Sequence, residues 1–187
     1  MKQRCSWAKG NEKMENYHDT IWGVPLHDDQ KLFRKLILDI NQAGLNWQTI
    51  LNKAEHFDAA FDDFDIQKVA YYDEKKIEEL LSDSGIIRNR RKIEAAIHNA
   101  QKVIEIQNEF GSFSSYLWAF NSHKVLKNSY QDQLEIPTTN ELSDRITKDL
   151  KKRGFKFVGS TIIYAFLEAV GVINDHVTTC FRYEELK

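Results

Sequence analysis

An all-α fold is what this sequence predicts. Three observations carry that expectation: prolines stop at Pro25 and Pro137 in 187 residues, alternating β-branched runs are scarce, and apolar residues recur at helical spacing throughout. Asp28 stands where a helix cap belongs, ahead of Leu32, Phe33, Leu36, Ile37 and Ile40, which share one helical face. Further helices are expected over 47–61 and 73–81. The longest stripe, Ile93, Ala96, Ile97, Ala100, Val103 and Ile104, falls within 88–110. Helices over 113–120, 142–153 and 159–170 complete the set, whereas 121–140 is polar and reads as loop.

At 42% hydrophobic and 12% aromatic residues the chain can bury a substantial core. No apolar run approaches the roughly 18–20 residues of a membrane span, and the start M-K-Q-R-C-S-W lacks the apolar centre of a signal peptide. A cytoplasmic monomer with no membrane partner is expected. The net charge of -2 does not announce a nucleic-acid partner. It is unevenly spread, however: Arg88, Arg90, Arg91 and Lys92, then Lys148, Lys151, Lys152, Arg153 and Lys156, leave room for one basic face.

Two cysteines cannot make a disulfide framework. Cys5 is followed by His18, and Cys180 is preceded by His176 at i and i+4, a spacing that would put that pair on one helical face. Together the four would form a closed Cys2His2 set of the structural zinc type, with no open position for water. Spacing alone leaves a second reading open, a buried free cysteine near each end and two ordinary histidines. The segment R-G-F-K-F-V-G-S-T-I, 153–162, ends a Lys-rich helix, turns, and opens an apolar one, in the manner of a helix-hairpin-helix. Glycines five apart allow a tight turn, and the free N–H groups of the next helix can bind a DNA phosphate without reading bases. The plain alternative is a helical hairpin with a solvated basic face.

Taken in order, Y-H-D-x-x-W-G from Tyr17, Q-A-G-L-x-W from Gln42, G-I-I-R-x-R from Gly85, K-K-R-G-F-K-F-V-G from Lys151 and N-D-H from Asn174 are a specific combination covering nearly the whole chain. By these motifs the chain resembles the 3-methyladenine DNA glycosylase I family, zinc-containing helix-hairpin-helix enzymes. The resemblance implies one glycosylase unit over 1–187, with a middle helical lobe at 28–120 and a zinc and hairpin lobe built from 1–27 with 141–187. It places the zinc ligands on Cys5, His18, His176 and Cys180. It implies base-excision repair of double-stranded alkylated DNA, with hydrolysis of the N-glycosidic bond and release of free 3-methyladenine.

In that family the damaged base is flipped into an aromatic pocket. The resemblance points to Tyr17, Trp22 and Trp47 as base-binding, with Trp7 and Trp118 read as core packing. Asp39, as the catalytic and base-contacting carboxylate, stands where the family usually has Glu, shorter by one methylene. Met14, Ile40, Asn41 and Asn46 also depart from the usual residues. Leu45 would be the wedge entering the stack, supported by Gln42, unless it is a loop leucine tucked into the core. Lys152, Gly154, Lys156, Phe157 and Gly159 would grip the DNA backbone. Asn174 stands where helix-hairpin-helix glycosylases usually keep an aspartate, and no lysine stands out as a Schiff-base nucleophile, so a monofunctional enzyme is expected. The competing expectation is a catalytically weak or altered-specificity relative that binds damaged nucleic acid. A zinc hydrolase is disfavoured, because a closed four-ligand site holds no metal-bound water.

Overall fold

The computed structural model describes residues 2–186. Its helices are α1 (Glu12–Thr20), α2 (Asp29–Gln42), α3 (Trp47–Ala60), α4 (Ile66–Ala70), α5 (Glu74–Ser82), α6 (Arg90–Phe110), α7 (Phe113–Ala119), α8 (Glu141–Lys152), α9 (Ser160–Ala169) and α10 (Arg182–Glu185). Strands β1 (Leu126–Lys127) and β2 (Ile173–Asn174) form one short parallel bridge. Local chemistry explains why the expected helices start where they do. From α1 to α8, each is preceded by an Asn, Asp or Ser whose side chain accepts the N–H of the third helical residue. Asn46 is one of these caps, so the departure before Trp47 preserves the start of α3. Helix α1 escapes sequence reading because it buries only Tyr17 and His18 and shows no apolar stripe. Helices α4 and α10 are too short to display a period.

Helix α2 is the axis of the molecule. Leu32, Phe33, Leu36, Ile37, Leu38 and Ile40 are all buried, and α2 packs against α3, α6, α7 and α9. Asp29 fixes its start to α7, accepting the N–H groups of Phe113 and Ser114 at 2.9 Å each. A smaller cluster of Cys5, Tyr17, Trp22, Ala169, Val177 and Cys180 joins the two ends of the chain. Behind it, Gly171 sits at φ +78, and a Cβ there would lie 2.4 Å from the Pro25 nitrogen. Only glycine fits at that close approach.

The hairpin between α8 and α9 is held from behind by α6. Gly154 ends α8 at φ +90, and the Phe155 N–H returns to the Leu150 carbonyl at 3.0 Å. The Asn99 side chain accepts the Lys156 N–H at 2.8 Å and donates to the Lys156 carbonyl at 3.0 Å. His98 Nε2 donates to the Gly154 carbonyl at 2.7 Å. Gly159 caps α9 without a side-chain bond, so the first N–H groups of α9 have no side-chain acceptor there.

One local expectation is corrected. His176 and Cys180 do not share a helical face, because the chain between them is extended and then turns. Two bonds divert the backbone: the Thr178 N–H goes to the Tyr130 carbonyl at 2.8 Å, and the His176 N–H to the Asn174 side chain at 3.2 Å. The turn closes with the Cys180 N–H on the Val177 carbonyl at 2.8 Å, which brings both side chains to one point. Among the described residues, no helix is long and apolar enough to cross a membrane.

Candidate active site and metal centre

Cys5, His18, His176 and Cys180 are all buried, and their ligand atoms lie within 4.8 Å of one another. Cys180 Sγ is 3.4 Å from His18 Nε2 and 3.5 Å from His176 Nδ1, while Cys5 Sγ is 3.6 Å from His176 Nδ1. Tetrahedral zinc, with Zn–S about 2.3 Å and Zn–N about 2.0–2.1 Å, sets sulfur and nitrogen about 3.5 Å apart, so the donors fit the ion. The remaining ring nitrogens are engaged as a metal site requires. His18 Nδ1 bonds Asp19 at 2.8 Å and His176 Nε2 donates to the Trp22 carbonyl at 3.3 Å. Arg4 beside Asp19 holds that carboxyl down at about 2. The hydrogen bond between the two thiols pulls Cys180 down, with the two histidines adding to it, and pushes Cys5 up. Four protein donors close the site, so a bound zinc serves structure and leaves no position for a reacting water.

The clasp shares its residues' neighbours with a cavity of about 230 Å³. That is below the roughly 300–1,000 Å³ of drug-sized pockets and suits a single heterocycle. Tyr17 lines the cavity while His18, next in α1, faces the metal site; Trp22 lines it while its carbonyl holds His176. Tyr17 and Trp47 make a tilted pair with ring centroids 5.0 Å apart. Trp7, expected in the core, is instead part of the wall, edge-on to Trp22 at 5.1 Å. Its neighbours at the chain start are spent on the clasp, which pulls it to the cavity. Trp118 does lie in the core, its Nε1 donating to the Leu26 carbonyl at 2.9 Å.

From α2 the cavity receives Lys35, Asp39 and Gln42, at i, i+4 and i+7 on one face. Lys35 and Asp39 are buried and ion-paired, and Lys35 Nζ lies 3.8 Å from the Trp47 ring centroid. Burial pushes the Asp39 carboxyl up and the Lys35 ammonium down, and their mutual attraction opposes both shifts. Glu168, from α9, closes the far wall; burial first, then the charge of Asp175, pushes its carboxyl well above the usual range. Gln133 reaches in from the polar loop. Asp39 Oδ2, Trp47 Nε1 and Gln133 Oε1 are buried without a protein partner, and all three residues line this one cavity. Buried polar atoms are rarely left unpaired, so their convergence marks a place prepared for a polar, planar ligand.

Leu45 stands at the end of α2's loop, 46% exposed, so it is not tucked into the core. The loop is held by Lys92, which donates to the carbonyls of Asn41 and Ala43 at 3.1 and 2.9 Å. Lys152 and Lys156 are exposed on the hairpin, and Phe157 sits at φ +56 with the Arg91 guanidinium 5.9 Å from its ring. Arg153, by contrast, is paired with Glu109 and Asp149, both at 2.7 Å.

Asn174 is fully buried and away from the cavity lining. Its amide donates to the Leu186 and Tyr183 carbonyls at 2.8 and 3.3 Å and its oxygen accepts the His176 N–H, so it ties the C-terminal segment to the clasp. Asn174→Asp would turn a donor into a carboxylate facing two carbonyl oxygens. A loss of about 3 kcal/mol in unfolding free energy is expected from denaturant titration. An unchanged midpoint would show that these two bonds do not hold the segment.

The model of the methyladenine glycosylase family matches residues 7–183. DNA-3-methyladenine glycosylase 1 of Escherichia coli (strain K12) is 44% identical over 181 residues, which are 97% of this chain and 97% of the relative. A crystal structure of a 3-methyladenine DNA glycosylase I superposes with a TM-score of 0.93 at 43% identity, covering 96% of this chain and 98% of that one. A variant of such an enzyme in complex with 3-methyladenine superposes with a TM-score of 0.92 at 36% identity, covering 95% and 96%. With the match running from the aromatic wall at Trp7 to the C-terminal segment beyond the clasp, the chain belongs to the methyladenine glycosylase family.

Proposed function

We propose that this protein excises 3-methyladenine from alkylated double-stranded DNA, hydrolysing the N-glycosidic bond of a base drawn into the cavity between Tyr17, Trp47 and Asp39. The observation that carries the reading is the trio of unpaired polar atoms around an aromatic-walled cavity sized for one base. Extrusion of a base costs a few kcal/mol, less where damage weakens pairing. Leu45, exposed at the rim with Gln42 behind it, is the plug that replaces the lost stacking. The open N–H groups at Gly159, the turn at Gly154 and Phe157, and the exposed Lys152 and Lys156 anchor the phosphates. The pocket thus lies between the helical lobe, 28–120, and the lobe of 1–27 with 141–187.

A methylated nucleotide is cationic and its base departs neutral, so the bond is already weak. Asp39 Oδ2 holds the amino edge of the base as the bond breaks, and water then attacks the sugar. Asn174, tied to backbone carbonyls, offers no base for that water. Lys35 is the lysine nearest the chemistry, but its ammonium is paired with Asp39 and lies on the Trp47 face, in the base position rather than the sugar position. A monofunctional enzyme follows, and zinc at the clasp takes no part in the reaction.

The test is incubation with methylated duplex DNA and chromatography of the released bases. Free 3-methyladenine with an uncut abasic strand is expected. Tight binding of methylated DNA without release would favour the second reading, a damaged-DNA binding protein, to which the buried Lys35–Asp39 pair gives its one specific support.

A further inference from the structure

The polar loop beside the cavity carries an apolar residue at its tip. Gln133 reaches into the cavity, and Leu134, next in sequence, is 93% exposed, more than any other large apolar side chain among the described residues. The two belong to one turn of 3-10 helix, Gln133–Glu135, whose successive side chains project about 120° apart. While Gln133 dips inward, Leu134 therefore stands at the cavity rim and points to solvent.

The tip is held in place by its own bonds. The Leu134 N–H donates to Asp132 Oδ1 at 2.8 Å, and Glu135 Oε2 accepts the Gln131 N–H at 2.8 Å and the Asp132 N–H at 3.4 Å. On one side Ile136 packs on the main core; on the other, the Tyr130 carbonyl accepts the Thr178 N–H beside the clasp. The leucine is thus presented in a fixed position, and little ordering is left for a partner to impose. Both carboxylates turn to the loop's own N–H groups, and residues 131–136 include no cation. Such a tip repels a phosphate and offers DNA only apolar contact, with a base or a sugar.

A duplex that sends a base into the cavity must lie across its mouth, and Leu134 is then covered. We propose that Leu134 is a positioning residue for base extrusion: it packs on the damaged strand beside the emptied position, from the side of the polar loop, while Leu45 enters from the α2 loop. Two apolar groups on separate segments replace more of the stacking area lost on extrusion than either alone, which favours the complex with an unstacked site over that with an intact duplex.

The inference rests on reading the cavity as the base pocket of a DNA glycosylase, and the experiment separates the two. Fluorescence anisotropy compares a duplex holding a tetrahydrofuran abasic analogue, whose site is already unstacked, with the same duplex undamaged. Leu134→Ser is expected to lower the preference for the abasic duplex by about tenfold, and Leu134→Met, which keeps an apolar side chain, to retain it. Because the side chain is exposed, neither the melting curve nor the affinity for free 3-methyladenine is expected to move in either variant. A preference unchanged in Leu134→Ser, or lost in Leu134→Met, overturns the inference, as does a wild type without the preference. Weaker binding of the free base by Leu134→Ser overturns it too, since the side chain would then act on the cavity rather than on the strand. Absence of base release from methylated duplex, with an abasic preference that still depends on Leu134, overturns the glycosylase reading and leaves the rim contact standing.

Discussion

Asp39→Asn is expected to slow release of 3-methyladenine from methylated DNA by on the order of 100-fold in single-turnover measurements. The amide keeps the shape and removes the charge that strengthens the hydrogen bond to the amino edge of the departing base. Because Asp39 lines the cavity with one oxygen unpaired, the loss falls mainly on the chemical step rather than on DNA binding. The substitution also strands the buried Lys35 ammonium, at a cost of roughly 3 kcal/mol in stability, so the rate is read on protein shown folded by its melting curve. Asp39→Glu keeps the charge and restores the longer reach; its release rate is expected to equal or exceed that of the wild type. Retention of the wild-type rate to within about threefold by Asp39→Asn would remove the carboxylate from the mechanism.

Metal removal is expected to have the largest effect on stability. The clasp joins segments 171 residues apart in sequence at Cys5 and His176, and the same segments carry Trp7, Tyr17 and Trp22 to the pocket. Chelation, or Cys180→Ser, is expected to lower stability on the order of 5 kcal/mol, or roughly 10–20 °C in Tm for a chain of this size. Affinity for 3-methyladenine falls with it, because the aromatic wall is no longer tied down. A metal analysis showing no zinc, with a melting curve indifferent to chelator, would refute the clasp. Excision that survives chelation in the fraction still folded is the expected result for a metal with no chemical part.

Much of this was legible in the sequence because local chemistry decided it. The stripe from Leu32 to Ile40 behind the Asp28 cap, and the stripe from Ile93 to Ile104 in the long α6, announce helices before any tertiary contact forms. The metal ligands could be nominated but not joined, since the Thr178 bond to Tyr130, the His176 bond to Asn174 and the turn after Val177 bring His176 and Cys180 together. Lys35 was hidden for a physical reason: a lysine between Arg34 and Leu36 reads as solvated helix surface, and its i, i+4 relation to Asp39 was the available signal. Glu168, the one acid in the apolar α9, was a similar signal. Gln133 had none, because loop residues carry no periodicity. Asn174 read as a missing carboxylate, yet its buried amide shows a residue chosen for donating to two carbonyls.

The most direct test of the base pocket is a crystal structure of the protein with 3-methyladenine bound. The ring is expected in the cavity against the wall made by Tyr17 and Trp47, with its amino group within hydrogen-bond distance of Asp39 Oδ2. A base found instead in the cleft lined by Arg91, His98 and Lys156, or a pocket left empty at saturating ligand, would contradict the account.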